Sequence, residues 1–179
     1  MQPFSVASSS TSETARRVSV MSTALLKMIL ESAIKIEEQS YDLYTKAQEK
    51  AKLPSSKALL SELAQAEVQH KQKLLTVMRD RVSVSKLGSP TGRVEDLRIV
   101  DFMGDTALSE DADYRAVLVY AAKREKSTYE HYRSLATGLF ARYYPIAAQL
   151  FSKLAEEELI HKNRLEREYD EVVLKEDRL

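Results

Sequence analysis

Two short patterns in this chain could do chemistry: Glu67-Val68-Gln69-His70 and Glu158-Leu159-Ile160-His161. Each sets a carboxylate three residues ahead of an imidazole. Three helical residues advance about 300°, so the members of each pair stand only about 60° apart and share one face. Leu63, Ala66 and Leu74 lie close to that side of the first pair, as Leu154 and Leu165 do for the second. The motifs therefore sit among core positions, where ionisable groups are costly to bury uncompensated. Carboxylate oxygen and imidazole nitrogen, with no sulfur, form a donor set suited to iron or manganese. One such motif arises easily in any charged helix, so further residues must decide whether these two form a site.

Those residues come from an internal duplication. Residues 59–71 align with 150–162, sharing Leu, Ser, Leu, Ala, Glu, His and Lys, both members of each Glu-x-x-His included. Upstream, Ala33, Lys35, Glu37, Tyr41 and Tyr44 match Ala121, Lys123, Glu125, Tyr129 and Tyr132 at the same spacings. The chain thus reads as one helical hairpin used twice. Glu37 lies 16 residues before Leu53, at the first turn, and Glu67 lies 14 after it. At about 1.5 Å per residue the two differ by about 3 Å in height. Glu125 and Glu158 stand 15 and 18 residues either side of Phe140, a mismatch of about 4.5 Å. If the hairpins lie side by side, Glu37, Glu67, Glu125, Glu158, His70 and His161 converge. Four carboxylates would balance two divalent cations, with neutral imidazoles completing the shells.

The elements that must position these residues follow from apolar periodicity. Helical patterns cover about 22–52, 55–82, 109–136 and 144–173. Pro54 closes the first pattern and Pro145 suits the opening turn of the last. Residues 83–108, with Gly88-Ser89-Pro90 and Thr91-Gly92, form a connection too long to be idle. A crossover running the length of the bundle gives it a task. The expected fold is all-α: a ferritin-like four-helix bundle of two helical hairpins joined by a long crossover, spanning 22–179. Residues 1–21, rich in Ser and Thr, read as a flexible tail ahead of it.

Composition removes several function classes. Formal net charge is zero with 27 basic and 27 acidic residues, so there is no basic excess for nucleic acid. Absence of cysteine excludes disulfides, thiolate metal sites and cysteine nucleophiles. No apolar run reaches membrane-spanning length, and the first twenty residues lack the apolar core of a secretory signal. A cytoplasmic protein is the expectation. His131, about 240° round the helix from Glu125, and Glu38, about 100° from Glu37, are expected at the surface. Tyr41 and Tyr129, one turn beyond Glu37 and Glu125, either back the ligands by hydrogen bonding or pack in the core. Tyr44 and Tyr132 are expected in the core.

Together, Glu37 with Tyr44, Leu63-Ala64-x-x-Glu67-x-x-His70, Glu125 with Tyr132, and Leu154-Ala155-x-x-Glu158-x-x-His161 resemble the rubrerythrin branch of the ferritin-like proteins. The resemblance covers roughly residues 25–169. It implies two iron ions, with manganese fitting the same donors: Glu67 and Glu158 bridging, Glu37 and Glu125 terminal, and one histidine on each metal. It further implies a di-iron oxidoreductase that reduces O₂ or H₂O₂ with electrons from an external donor, in a homodimer or larger assembly. A manganese catalase-like or iron-handling protein is the alternative within the metal class. A non-enzymatic helical module with a structural metal is the alternative outside it. Two departures stand out. There are no cysteines for the rubredoxin domain that rubrerythrins usually carry, and Thr128 occupies the position of their extra glutamate on the third helix.

Overall fold

The computed structural model describes residues 8–80, 94–102, 109 and 111–176, and its regular structure among them is helical throughout. Helix α1 spans Ser8–Lys50, α2 Pro54–Asp80, α3 Tyr114–Leu135, α4 Gly138–Tyr143 and α5 Pro145–Glu176. A 3₁₀ turn, Ile99–Phe102, precedes α3. Pro54 and Pro145 each stand first in their helix, where the missing N–H costs nothing and the fixed φ is already helical. Asp113 caps α3 by accepting a hydrogen bond from the Ala116 amide at 2.8 Å. Gly138, at φ 67°, supplies the left-handed step that turns the chain from α3 into α4.

Helix α1 packs along α2 and α3 along α5, and the α1–α3 and α2–α5 contacts close the two hairpins into one bundle. Its core is two apolar clusters. One gathers Tyr44, Ala47, Leu60, Leu63, Leu118, Ala122 and Leu165; the other gathers Leu30, Ala33, Leu74, Tyr132, Leu150, Phe151 and Leu154. Each of the four long helices contributes to both clusters, so all four pass from one cluster to the other. Arg124 ties α3 to α1 from the bundle's flank, reaching Ser40 Oγ at 3.1 Å and the Ile36 carbonyl at 3.0 Å.

Several boundaries differ from expectation. Helix α1 starts at Ser8 rather than 22, so helix takes in most of the expected tail; residues 1–7 lie outside the described residues. Helix α3 starts at Tyr114 rather than 109 because Asp113 takes the cap. The short α4, with no buried residue, is too brief and too exposed to leave an apolar period.

Of the expected crossover, 83–93 and 103–108 lie outside the described residues. The rest is strapped onto the bundle by α5. Asn163 donates to the Glu95 carbonyl at 2.7 Å and accepts from the Leu97 amide at 3.2 Å. Glu166 accepts from the Val100 amide at 2.7 Å. Lys162, fully buried, bridges Asp96 at 2.6 Å and Glu166 at 2.8 Å. Replacing Asn163 with Ala leaves two backbone groups of the strap unpaired. Urea unfolding should show a loss of about 1–3 kcal/mol; an unchanged midpoint would mean that the strap holds without it.

Candidate metal centre

Each of the four long helices carries one glutamate inward at mid-length: Glu37 on α1, Glu67 on α2, Glu125 on α3 and Glu158 on α5, with His70 and His161 one turn beyond Glu67 and Glu158. All six are buried. Donor atoms of Glu67, His70, Glu158 and His161 lie within 4.8 Å of one another.

The contacts follow the sequence duplication. His70 Nδ1 stands 3.3 Å from Glu67 Oε2, 3.0 Å from Glu158 Oε1 and 3.6 Å from Glu37 Oε2. His161 Nδ1 stands 3.2 Å from Glu67 Oε1, 3.2 Å from Glu158 Oε2 and 3.9 Å from Glu125 Oε2. Glu67 and Glu158 thus each turn one oxygen toward each histidine, whereas Glu37 faces only the first and Glu125 only the second. The imidazoles stack with centroids 5.2 Å apart.

Proximity does not satisfy these groups. Both oxygens of Glu67, Oε2 of Glu37, Oε2 of Glu125 and Oε1 of Glu158 are buried without a hydrogen bond, and so is His70 Nδ1. Unpaired buried carboxylate oxygens facing one small volume are what a cation would satisfy. The donor set suits divalent ions: Glu67, His70, Glu158 and His161 could hold them, with Glu37 beside His70 and Glu125 beside His161.

Protonation without metal follows from burial and mutual repulsion. Burial, then the Glu158 charge, pushes the carboxyls of Glu37 and Glu125 well up. Burial alone would lower both histidines, but the facing carboxylates outweigh it: His70 is raised well above its ordinary value and His161 to about 9. Burial opposes ionisation of Glu67 and Glu158 as well, yet the histidines bring Glu67 below its usual range and Glu158 well below. Protons held by Glu37, Glu125 and the two histidines thus offset the charge on Glu67 and Glu158. Two dications replacing four protons would leave the cluster's net charge unchanged.

The tyrosines divide differently from expectation. Tyr44 donates to Glu125 Oε1 and Tyr132 to Glu37 Oε1, each reaching across to the other hairpin. Burial, then the adjacent carboxylate, raises both phenols well above their usual value, so they remain donors. Tyr41 is instead 38% exposed, and the Tyr129 hydroxyl accepts from Arg133 at 2.7 Å. Neither Tyr41 nor Tyr129 hydrogen-bonds a ligand carboxylate, and Tyr129 packs against the second apolar cluster. An offset of seven residues returns to within about 20° of the ligand's face, whereas four residues drift about 40° off it. As expected, Glu38 and His131 are exposed; Glu38 pairs with Lys71 at 2.7 Å.

Glu157 is the residue that sequence reasoning passed over. Its Oε2 lies 2.7 Å from His70 Nε2, and Lys73 holds both its oxygens at 2.7 and 2.6 Å. A proton held on Nε2 by this carboxylate leaves the Nδ1 lone pair for a metal. The available signal was a break in the duplication, since Glu157 aligns with Ala66.

With this geometry in place, comparison with known families is decisive. The rubrerythrin family matches residues 28–99 and 116–179. The chain belongs to the rubrerythrin family. Its two matched stretches are the two hairpins, each holding half of the cluster, and rubrerythrins bind two iron ions. No curated protein and no solved structure matches the chain. Among the described residues no helix is long and apolar enough to cross a membrane.

Two measurements check the centre. Loading with two divalent ions should release about four protons per chain at mildly acidic pH, read by calorimetry in buffers of different ionisation enthalpy. Because those protons compete with metal, apparent affinity should climb as pH rises toward about 9, where His161 gives up its proton; a flat profile would refute the assignment. Replacing Glu157 with Ala should weaken metal binding about 10- to 100-fold, with little change in unfolding of the metal-free protein.

Proposed function

We propose that this protein is a di-iron oxidoreductase that reduces O₂ or H₂O₂, a peroxidase or ferroxidase drawing electrons from an external donor or from ferrous iron. The observation that carries this reading is the split of Glu67 and Glu158, each with one oxygen toward His70 and the other toward His161. Such an arrangement suits two ions close enough to act on one small oxidant. A bound pair of ferrous ions supplies two electrons, which with two protons convert H₂O₂ to two waters.

The chain's own residues have three tasks. Glu37, Glu125, His70 and His161 would give each ion a carboxylate and an imidazole. Tyr44 and Tyr132 hold the outer oxygens of Glu125 and Glu37, so the terminal carboxylates keep their aim in the absence of solvent. The apolar clusters on either side exclude water, which strengthens electrostatic interactions within. Thr128 hydrogen-bonds to the Arg124 carbonyl at 3.2 Å, and its repeat partner Ser40 accepts from Arg124. Neither position offers a spare carboxylate, so a bound metal pair would rely on the six ligands named above.

The test is anaerobic loading with Fe(II) followed by O₂ or H₂O₂. Uptake of two ions per chain and rapid oxidation by one of these oxidants are expected. Two ions without oxidation would indicate a structural site, and catalase turnover by Mn-loaded protein would move the assignment to manganese. Replacing Glu67 with Ala should abolish binding of the metal pair; retention of both ions would mean that the bridge lies elsewhere.

A further inference from the structure

A cleft of about 620 Å³ opens at the end of the bundle where α1 and α5 finish and α2 and α3 begin. That volume falls among those of small-molecule sites, about 300–1,000 Å³. Among the described residues, part of its lining is apolar, from Leu53, Ala112, Val172 and the Tyr114 ring. The rest is mainly basic: Lys50, Lys52 and Arg115 stand against one carboxylate, Asp113. That carboxylate is already engaged as the cap of α3, accepting from the Ala116 amide at 2.8 Å. Three cations against one anion leave the lining with positive charge in excess.

All four long helices hold this cleft in shape. Lys50 Nζ donates to the Ala112 carbonyl at 2.7 Å, which pins the end of α1 to the approach of α3. The buried Ser56 donates to Glu168 Oε1, and the Tyr114 hydroxyl donates to the same oxygen at 3.2 Å. Those two bonds tie α2, α3 and α5 together at this end. A lining fixed in advance loses little conformational freedom when a ligand enters. Nor is the basic lining a by-product of the hairpin duplication. In the register that pairs Ala33 with Ala121, Lys50 and Lys52 fall against Gly138 and Phe140. The cations are a property of this end of the bundle, not of the repeat.

We propose that this cleft binds a small aliphatic carboxylate. The acid group lies among Lys50, Lys52 and Arg115, where a guanidinium can take a carboxylate through two parallel hydrogen bonds and the ammonium groups add charge. The aliphatic body lies on Leu53, Ala112 and Val172, whose exposed apolar surface it removes from water. An inorganic anion would use the cations and leave the apolar lining wet. An organic cation of the same shape would use the apolar lining and be repelled by the lysines. Only an anion with an apolar body uses both. The site is distinct from the metal centre, since no lining residue is among the six ligands. Ser56 and Tyr114 each precede a ligand glutamate, Glu67 and Glu125, by eleven residues, about 16 Å of helix.

Octanoate is a suitable probe, titrated into the full chain while backbone amide chemical shifts are followed. Saturable binding with a dissociation constant of about 1 mM or tighter is expected, with the largest shifts at 50–56, 112–115 and 172. Octylamine carries the same chain with the opposite charge, and inorganic phosphate carries charge without the chain. Each should bind about tenfold more weakly than octanoate, or less tightly still. Lys52 and Leu53 are exposed in the turn between α1 and α2, so replacing them leaves the bundle core untouched. Lys52→Glu and Leu53→Asp should each weaken octanoate about tenfold, with helicity and metal uptake as in the parent chain. Added salt should weaken octanoate as well, because the cations are partly in solvent. The proposal is overturned if octanoate does not bind, if octylamine or phosphate binds as tightly, if the shifts centre elsewhere, or if both variants bind octanoate like the parent.

Discussion

Four carboxylates and two imidazoles buried at one height, between two apolar clusters, are the constraint on which this structure depends. Six ionisable groups withdrawn from water are costly unless their charges cancel. The fold cannot disperse them, because one glutamate comes from each of the four long helices and each is locked to its height by the apolar residues on either side. Cancellation must therefore happen in place. Without metal it comes from protons held by Glu37, Glu125 and the two histidines. With metal it comes from two dications. Protons and cations would both set positive charge among the same six side chains, so one bundle can hold either form without rebuilding its core.

The hairpin duplication is what makes such a centre economical to encode. A single helical hairpin with one inward glutamate and one Glu-x-x-His would present two carboxylates and an imidazole on an open face. Two copies, face to face, close the volume and supply its complement. The crossed tyrosines extend the logic. Tyr44 and Tyr132 belong to one hairpin each but bond the terminal glutamate of the other, so docking of the hairpins and orientation of the ligands are the same event.

Much of this was legible from residue types and spacing. Glu-x-x-His on a helix fixes a shared face, proline marks the turns, and similar distances from those turns bring the glutamates of each hairpin to within about 3–4.5 Å in height. What was not legible depended on contacts between helices. A phenol seven residues past a glutamate can serve its own hairpin or the neighbouring one, and the choice belongs to the docking geometry. Tyr41, by contrast, follows Glu37 by only four residues and yet points outward. Glu157 escaped notice because it sits in a run of three glutamates, Glu156-Glu157-Glu158, where only contact with His70 and Lys73 separates it from a surface charge. The extent of α1 was hidden for another reason. Residues 8–17 are Ser, Thr, Glu, Ala and Arg throughout, so no apolar stripe of the kind that identifies the rest announces a helix there.

One departure from two-fold symmetry within the chain has its cause in the crossover. Lys71 and Lys162 are repeat partners, yet Lys71 pairs at the surface with Glu38 while Lys162 is fully buried. The difference lies in what covers each helix. Residues 94–102 lie across α5, and nothing equivalent among the described residues lies across α2. Burial under that strap demands partners, and Asp96 and Glu166 provide them, where the partner of Glu166 in the first hairpin is Leu75. A duplicated hairpin must be joined by some crossover, and a crossover can lie against only one copy. Once it does, the covered helix acquires a buried ion pair and a backbone clamp that its twin does not need. The two halves therefore differ where the strap lies on the outside of the bundle, while the six residues facing the shared centre remain the same.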